Sequence, residues 1–226
     1  MFISISTVLL CLLGPAVASP VLVDRAVSST CPKYTLINTR GTGERQGESS
    51  GFTTMNARIL AQLPGGDIYN TVYAAGFNQD SSAAGADIVK KINSTLQTDP
   101  AHCFILQGYS QGAAGTTNAL SKLTGASFNA VKGVFLIGNP EHRSGLACNV
   151  DTKGGTTTKN VNGLSYKLGG IPANWVNKTL DVCNYGDGVC DTAHGYGITV
   201  QHLAYPRDAS TQNQGTAFAL KQLGAA

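Results

Sequence analysis

Cys103-Phe104-Ile105-Leu106-Gln107-Gly108-Tyr109-Ser110-Gln111-Gly112-Ala113-Ala114 is the stretch that decides the fold. A short β-prone run passes directly into G-x-S-x-G, and small residues then open a helix-compatible segment reaching Leu123. In a strand, sharp turn, helix context this pattern holds a serine in a strained turn with its hydroxyl exposed. Small neighbours let strand and helix approach, while the helix N-terminus favours negative charge beside the serine. Gly/Ser turns also fit the bare five-residue pattern, so the flanking strand and helix carry the inference. Ser110 is the candidate nucleophile.

Working outward, further β-rich runs cover 34–38, 68–74, 131–137 and 179–185. Between them, 51–63, 83–96, 111–123 and 216–223 carry apolar residues at three- and four-residue spacing, the period of amphipathic helices. Alternating strands and helices predict an α/β fold, a parallel sheet covered on both faces. The Gly-, Thr-, Asn- and Lys-rich segment 144–173 breaks the alternation and is read as a surface excursion. In such sheets reactive groups gather beyond the carboxyl ends of the strands, so the loops after each run are where chemistry is sought.

An activated serine needs a histidine base and an acid that orients it, in the chain order Ser, acid, His on this fold. Asp187 stands in a glycine-flanked turn, Asn184-Tyr185-Gly186-Asp187-Gly188-Val189-Cys190, where the acid is expected. Glycine-flanked aspartates are also common as plain turn chemistry. Three histidines follow Ser110: His142, His194 and His202. His142, just after the fourth run, reads as an ordinary surface residue. His194 and His202 both stay open as the base, with a loop returning over the sheet favouring the later one. The first run ends in Arg40-Gly41-Thr42-Gly43-Glu44-Arg45-Gln46-Gly47. Acyl transfer needs two donors aimed at an oxyanion. Backbone N–H of Gln111 is one candidate, and Thr42, through its N–H and hydroxyl, is the other. Phe77, Ala83, Tyr196, Ile198 and Val200 are the apolar candidates for acyl binding in nearby loops.

Two rival chemistries fail on spacing. The 40–47 loop nearly spells a dinucleotide fingerprint, but its third glycine is one residue late and Asp67 precedes the second strand. Cys183, Cys190, His194 and His202 follow no common zinc-ligand spacing. No cofactor and no metal are expected.

The 226 residues carry a net charge of +3 with 13% charged residues and no basic cluster, which argues against a nucleic-acid partner. Residues 1–18 read as a signal peptide, an apolar run ending in Ala16-Val17-Ala18, with a short pro-segment reaching to 25–29. The run is too short to span a membrane. Residues 30–226 are expected to form a single catalytic domain, secreted and monomeric. Asn93-Ser94-Thr95 and Asn177-Lys178-Thr179 are glycosylation sequons. Cys31, Cys103, Cys148, Cys183 and Cys190 remain after the signal, two disulfides and one odd thiol in an oxidising compartment.

Taken in order, Arg40-Gly41-Thr42, Gly108-Tyr109-Ser110-Gln111-Gly112, Gly186-Asp187-Gly188-Val189-Cys190 and His202-Leu203-Ala204-Tyr205 resemble the fungal cutinases and cutinase-like polyester hydrolases, relatives of acetylxylan esterases. The resemblance runs from about Cys31 to Leu223. It implies a lidless α/β-hydrolase with a five-stranded parallel sheet, Ser110, Asp187 and His202 as triad, and Thr42 with Gln111 at the oxyanion hole. It selects His202 over His194, pairs Cys31 with Cys103 and Cys183 with Cys190, and leaves Cys148 free. Its substrate class is an ester or polyester, a cutin-like polymer surface. Acetylxylan esterase, and a catalytically inactive surface-binding or elicitor protein, are the alternatives. The chain departs from the family in having Thr42-Gly43 where Ser-Thr is common, and in a slightly longer 187–202 segment.

Overall fold

Alternation along the strands sends side chains to opposite faces, and each face acquires its own helical cover. A computed structural model describes residue 1 and residues 31–225; residues 2–30, which hold the expected signal peptide and pro-segment, lie outside the described residues. The elements in chain order are β1 (Tyr34–Thr39), α1 (Thr53–Gln62), β2 (Gly66–Asn70), α2 (Ser82–Thr98), β3 (Cys103–Tyr109), α3 (Gln111–Leu120), α4 (Gly125–Ala130), β4 (Val131–Ile137), β5 (Asn149–Val150), β6 (Thr179–Val182) and α5 (Ala209–Gln222). Leu36, Ile105, Phe135 and Ile137 meet Phe52, Met55, Ile59 and Ala219 from the α1 and α5 side. Ile37, Phe104, Leu106 and Val134 meet Ile88, Ile92, Ala113 and Leu120 from the α2 and α3 side.

All strands are parallel, in the order β2-β1-β3-β4-β6-β5. The chain builds outward in one direction from β1 to β2 and in the other from β3 onward. The topological switch point therefore lies between β1 and β3, where open α/β sheets bind ligands. Ser110 and the 40–47 loop sit at those two strand ends.

The α/β class holds, with six strands instead of five. The extra strand is the two-residue β5, paired with β6 through Asn149↔Asp181 and Val150↔Val182. It belongs to the 144–173 segment, which is anchored in the fold and does not float on its surface: Cys148, Thr158, Val161 and Ile171 are buried. Isolated apolar residues among Gly, Thr and Asn carry no readable period, which is why this anchoring escapes the sequence. The last helix begins at Ala209, seven residues before the apolar spacing suggested, because Asp208 caps it by accepting a hydrogen bond from Thr211 N at 2.6 Å. Asn93 and Asn177 are both exposed.

Cys31 is bonded to Cys103 and Cys183 to Cys190, while Cys148 is a buried free thiol. Burial pushes the Cys148 thiol up to about 12, which keeps it protonated and unreactive. The first bridge closes a sequence separation of 72 and the second one of 7. Loop-closure entropy then predicts about 4 kcal/mol from the first and about 2 kcal/mol from the second. In urea unfolding, C31S/C103S should lose clearly more stability than C183S/C190S; equal losses would contradict this ranking.

Candidate active site

Ser110 has φ +56° and ψ −122°, a backbone conformation that side chains rarely adopt. The turn is held because Ser110 N–H donates to Ile137 O on β4 at 3.0 Å while α3 starts at the very next residue. A side chain on Gly112 would overlap the carbonyls of Thr39 and Arg40, so only glycine lets α3 come down onto the end of β1. All three non-glycine residues with positive φ among the described residues, Ala75, Gln79 and Ser110, lie in this region.

His202 Nε2 stands 2.9 Å from Ser110 Oγ, and its Nδ1 is 2.9 Å from each Asp187 carboxylate oxygen. All three residues are buried, with Ser110 only 8% exposed. Asp187 also accepts from Val189 N at 2.9 Å and from Tyr205 Oη at 2.6 Å. Tyr205 in turn accepts from Asn184 N, so one phenol ties the acid to the strand end. Burial first, then the Asp187 charge, pushes the Tyr205 phenol well above its ordinary value and keeps it a donor. Tyr109 donates to His202 O at 2.8 Å. A Cβ on Gly138, which has φ +57°, would lie 2.8 Å from His202 Cε1 and 3.1 Å from Asp187 Oδ2. His194, the other open candidate, binds Asp191 at 2.9 Å and stacks on Tyr185, away from Ser110.

The 40–47 loop is rooted by a buried guanidinium. Arg40 donates to Glu44 O at 2.8 Å, to Gln46 Oε1 at 2.8 Å, and to the carbonyls of Thr71 and Tyr73. Gly43 N–H donates to Ala75 O at 2.8 Å, and Thr42 Oγ1 donates to Gln79 Oε1 at 3.2 Å. Gln111 Nε2 donates to Gly76 O at 3.0 Å, which fastens the helix start to the same loop system. Thr42, Ser110 and Gln111 line one cleft of about 540 Å³. Of the five apolar residues expected to bind an acyl chain, only Ile198 lines it. Phe77, Tyr196 and Val200 are exposed outside its lining, and Ala83 points to solvent while its neighbour Ala84 is buried. Leu164 and Leu168, from the 144–173 segment, and Val189 form the apolar wall instead. Val189 lies two residues from Asp187, whereas proximity in sequence to the candidate loops could not identify Leu164 and Leu168.

The profile of the cutinase family matches residues 30–223. The chain belongs to the cutinase family. A cutinase-like protein from Cryptococcus sp. is 64% identical, with a TM-score of 0.86 over 88% of this chain and 98% of that one. Acetylxylan esterase from Hypocrea jecorina is 29% identical over 92% of this chain and 73% of its own length. A cutinase from Hypocrea jecorina is 31% identical over 60% of this chain, and there the chain spans 44% of the relative's length.

This cutinase-family chain buries a second histidine–carboxylate pair. His142 is not a surface residue: it is fully buried, with Nδ1 2.8 Å from Asp181 Oδ2 and Nε2 3.1 Å from Thr158 O. Both ring nitrogens face oxygen acceptors, so both carry protons and the ring is an imidazolium. Burial alone would lower its pKa. The Asp181 charge and the bonds to Asp181 and Thr158 outweigh that and hold it above the usual histidine value. The ion ties the end of β4 to β6 and to the 144–173 segment. Next to it, Glu141 lies buried with its carboxylate accepting from Thr117 Oγ1 at 2.6 Å, and burial pushes that carboxyl up. A raised histidine pKa stabilises the fold fully below the unfolded value near 6.5, and the contribution is lost as pH rises through the folded value. The urea midpoint should therefore fall as pH rises above about 6.5, and H142Q should flatten that slope. Identical slopes for both proteins would show that His142 is not charged. H142A should cost about 3–5 kcal/mol, since it strands a buried carboxylate.

Proposed function

We propose that this chain is a secreted serine carboxylic ester hydrolase acting on aliphatic polyesters of the cutin type and on esters with short to medium acyl chains. The observation that carries the reading is the hydrogen-bonded row Ser110, His202, Asp187, with His202 Nε2 on the serine and Nδ1 on the acid. His202 takes the Ser110 proton as Oγ attacks the ester carbonyl carbon. The tetrahedral oxyanion is held by the backbone N–H groups of Thr42 and Gln111. The imidazolium then gives its proton to the departing alkoxide, leaving an acyl-serine and free alcohol. Water, deprotonated by the same histidine, attacks the acyl-serine, and collapse of the second tetrahedral intermediate releases the acid and restores the serine hydroxyl. Asp187 stays ionised throughout and stabilises the imidazolium.

Polymer substrates are supported by the rim. Phe77, Leu168, Tyr196, Ile198, Val200 and Leu203 are all exposed apolar residues, and most belong to the loops around the cleft. Such a concentration suits contact with an apolar surface. Export is supported by the two disulfides and the apolar leader. We take residues 30–226 to act as one monomeric catalytic domain.

S110A should keep its fold and lose ester hydrolysis by about a million-fold. An organophosphate should add to the unaltered protein at Ser110 and not to S110A. Full hydrolysis by S110A would sink the assignment, and an unreactive Ser110 would point to a surface-binding protein. Acetylxylan esterase is the second reading, favoured by the Hypocrea jecorina relative that aligns over most of this chain. The apolar wall of the 540 Å³ cleft argues for longer acyl groups. L164S and L168S should each lower kcat/KM for a decanoyl ester relative to the acetyl ester by about fivefold. Release of acetate from xylan that outruns hydrolysis of butyrate and decanoate esters would favour the second reading.

A further inference from the structure

Ser110 stands between two clefts, and the smaller, of about 190 Å³, is also bordered by His202. We propose that this smaller cleft binds the alcohol part of the ester, and that it is built for an alcohol carrying a second hydroxyl, such as a diol or a dihydroxy-acid chain. The inference rests on the esterase reading given above. The departing oxygen must receive its proton from His202, so the alcohol has to leave on the side where that ring lies. His202 borders the smaller cleft and is absent from the lining of the larger one. The acyl chain is thereby assigned to the 540 Å³ cleft with Leu164 and Leu168.

Chemistry inside the smaller cleft selects the alcohol. Leu203, Pro206 and Ile198 line it with hydrocarbon, and Ser50 with Glu44 lines it with oxygen. Glu44 Oε1 accepts from Ser50 N at 2.9 Å and from Ser50 Oγ at 2.7 Å. Its Oε2 accepts from Gly41 N and Ser49 Oγ, both at 2.7 Å. Four donors fill the carboxylate, and the single proton of the Ser50 hydroxyl is committed to it. What Ser50 presents to the cleft is therefore its lone pairs. Those lone pairs accept a hydrogen bond from an alcohol O–H and give nothing to a plain alkyl chain. A short hydrocarbon ending in a hydroxyl satisfies both kinds of lining.

The test uses ratios, so that any general effect of a substitution on the Glu44 loop cancels. S50A should lower kcat/KM for 4-hydroxybutyl butyrate relative to butyl butyrate by about fivefold, and S50T, which keeps a hydroxyl, should restore the ratio. L203W, which fills the cleft, should lower hexyl acetate relative to methyl acetate by about tenfold, with the methyl decanoate to methyl acetate ratio moving less than about twofold. A hydroxybutyl ratio unmoved by S50A overturns the hydroxyl preference. A drop in the decanoate ratio with L203W in place of the hexyl ratio overturns the assignment of the two clefts. Failure of the unaltered protein to hydrolyse any of these esters overturns the esterase reading itself, whereas altered ratios on an active protein speak only to the subsite.

Discussion

Ser110 can occupy φ +56° only because its neighbours leave the chain no other path, and the site is arranged around that turn. A non-glycine residue in such a conformation costs about 1–3 kcal/mol, which the surrounding structure must offset. Here the offset comes from β3, buried along its whole length, from the Ser110 N–H bond to Ile137, and from α3 seated on the β1 carbonyls at Gly112. The same contacts bring the end of β1 beside the serine. The 40–47 loop and the proposed nucleophile are therefore placed by one packing event, and Arg40 holds the loop there through bonds to four partners.

The β6 end of the sheet does a different job. Three aspartates in and just after this strand, Asp181, Asp187 and Asp191, each hold a histidine: His142, His202 and His194. Their chemistry differs by surroundings and not by residue type. His142 is enclosed with acceptors on both nitrogens and serves as a buried cation that fastens three segments. His194 is partly exposed against Tyr185. Of these three, His202 alone turns its second nitrogen to a hydroxyl, that of Ser110. Tyr205 and the Cys183–Cys190 bridge restrict Asp187, so the acid reaches its histidine from a fixed position.

Asymmetry about Ser110 follows from the topology. One side is walled by the segment between β4 and β6, which the two-residue strand β5 and the His142 ion pin against the sheet, and which supplies Leu164 and Leu168. The other side is walled by the loop after β1 and by the turn that follows His202. An apolar, roomy cleft and a smaller mixed one are the outcome.

Much of this was legible in the sequence because it is local. G-x-S-x-G after an apolar run, a glycine-set Asp187 and the alternation of strands with helices are short-range patterns, and steric limits on the turn and on the two faces of a sheet make them decisive. The order of motifs then named the family, the triad candidates and the disulfide pairs. What the sequence could not decide is what depends on distant segments meeting. His142 reads as a surface residue until β6 brings Asp181 to it. The 144–173 segment looks like a surface excursion until its scattered apolar residues find the sheet. Phe77, Ala83, Tyr196 and Val200 neighbour the candidate loops in the chain but stay out of the lining of the cleft that Leu164 and Leu168 wall. Burial and pocket lining are set by long-range packing, and no local period records them.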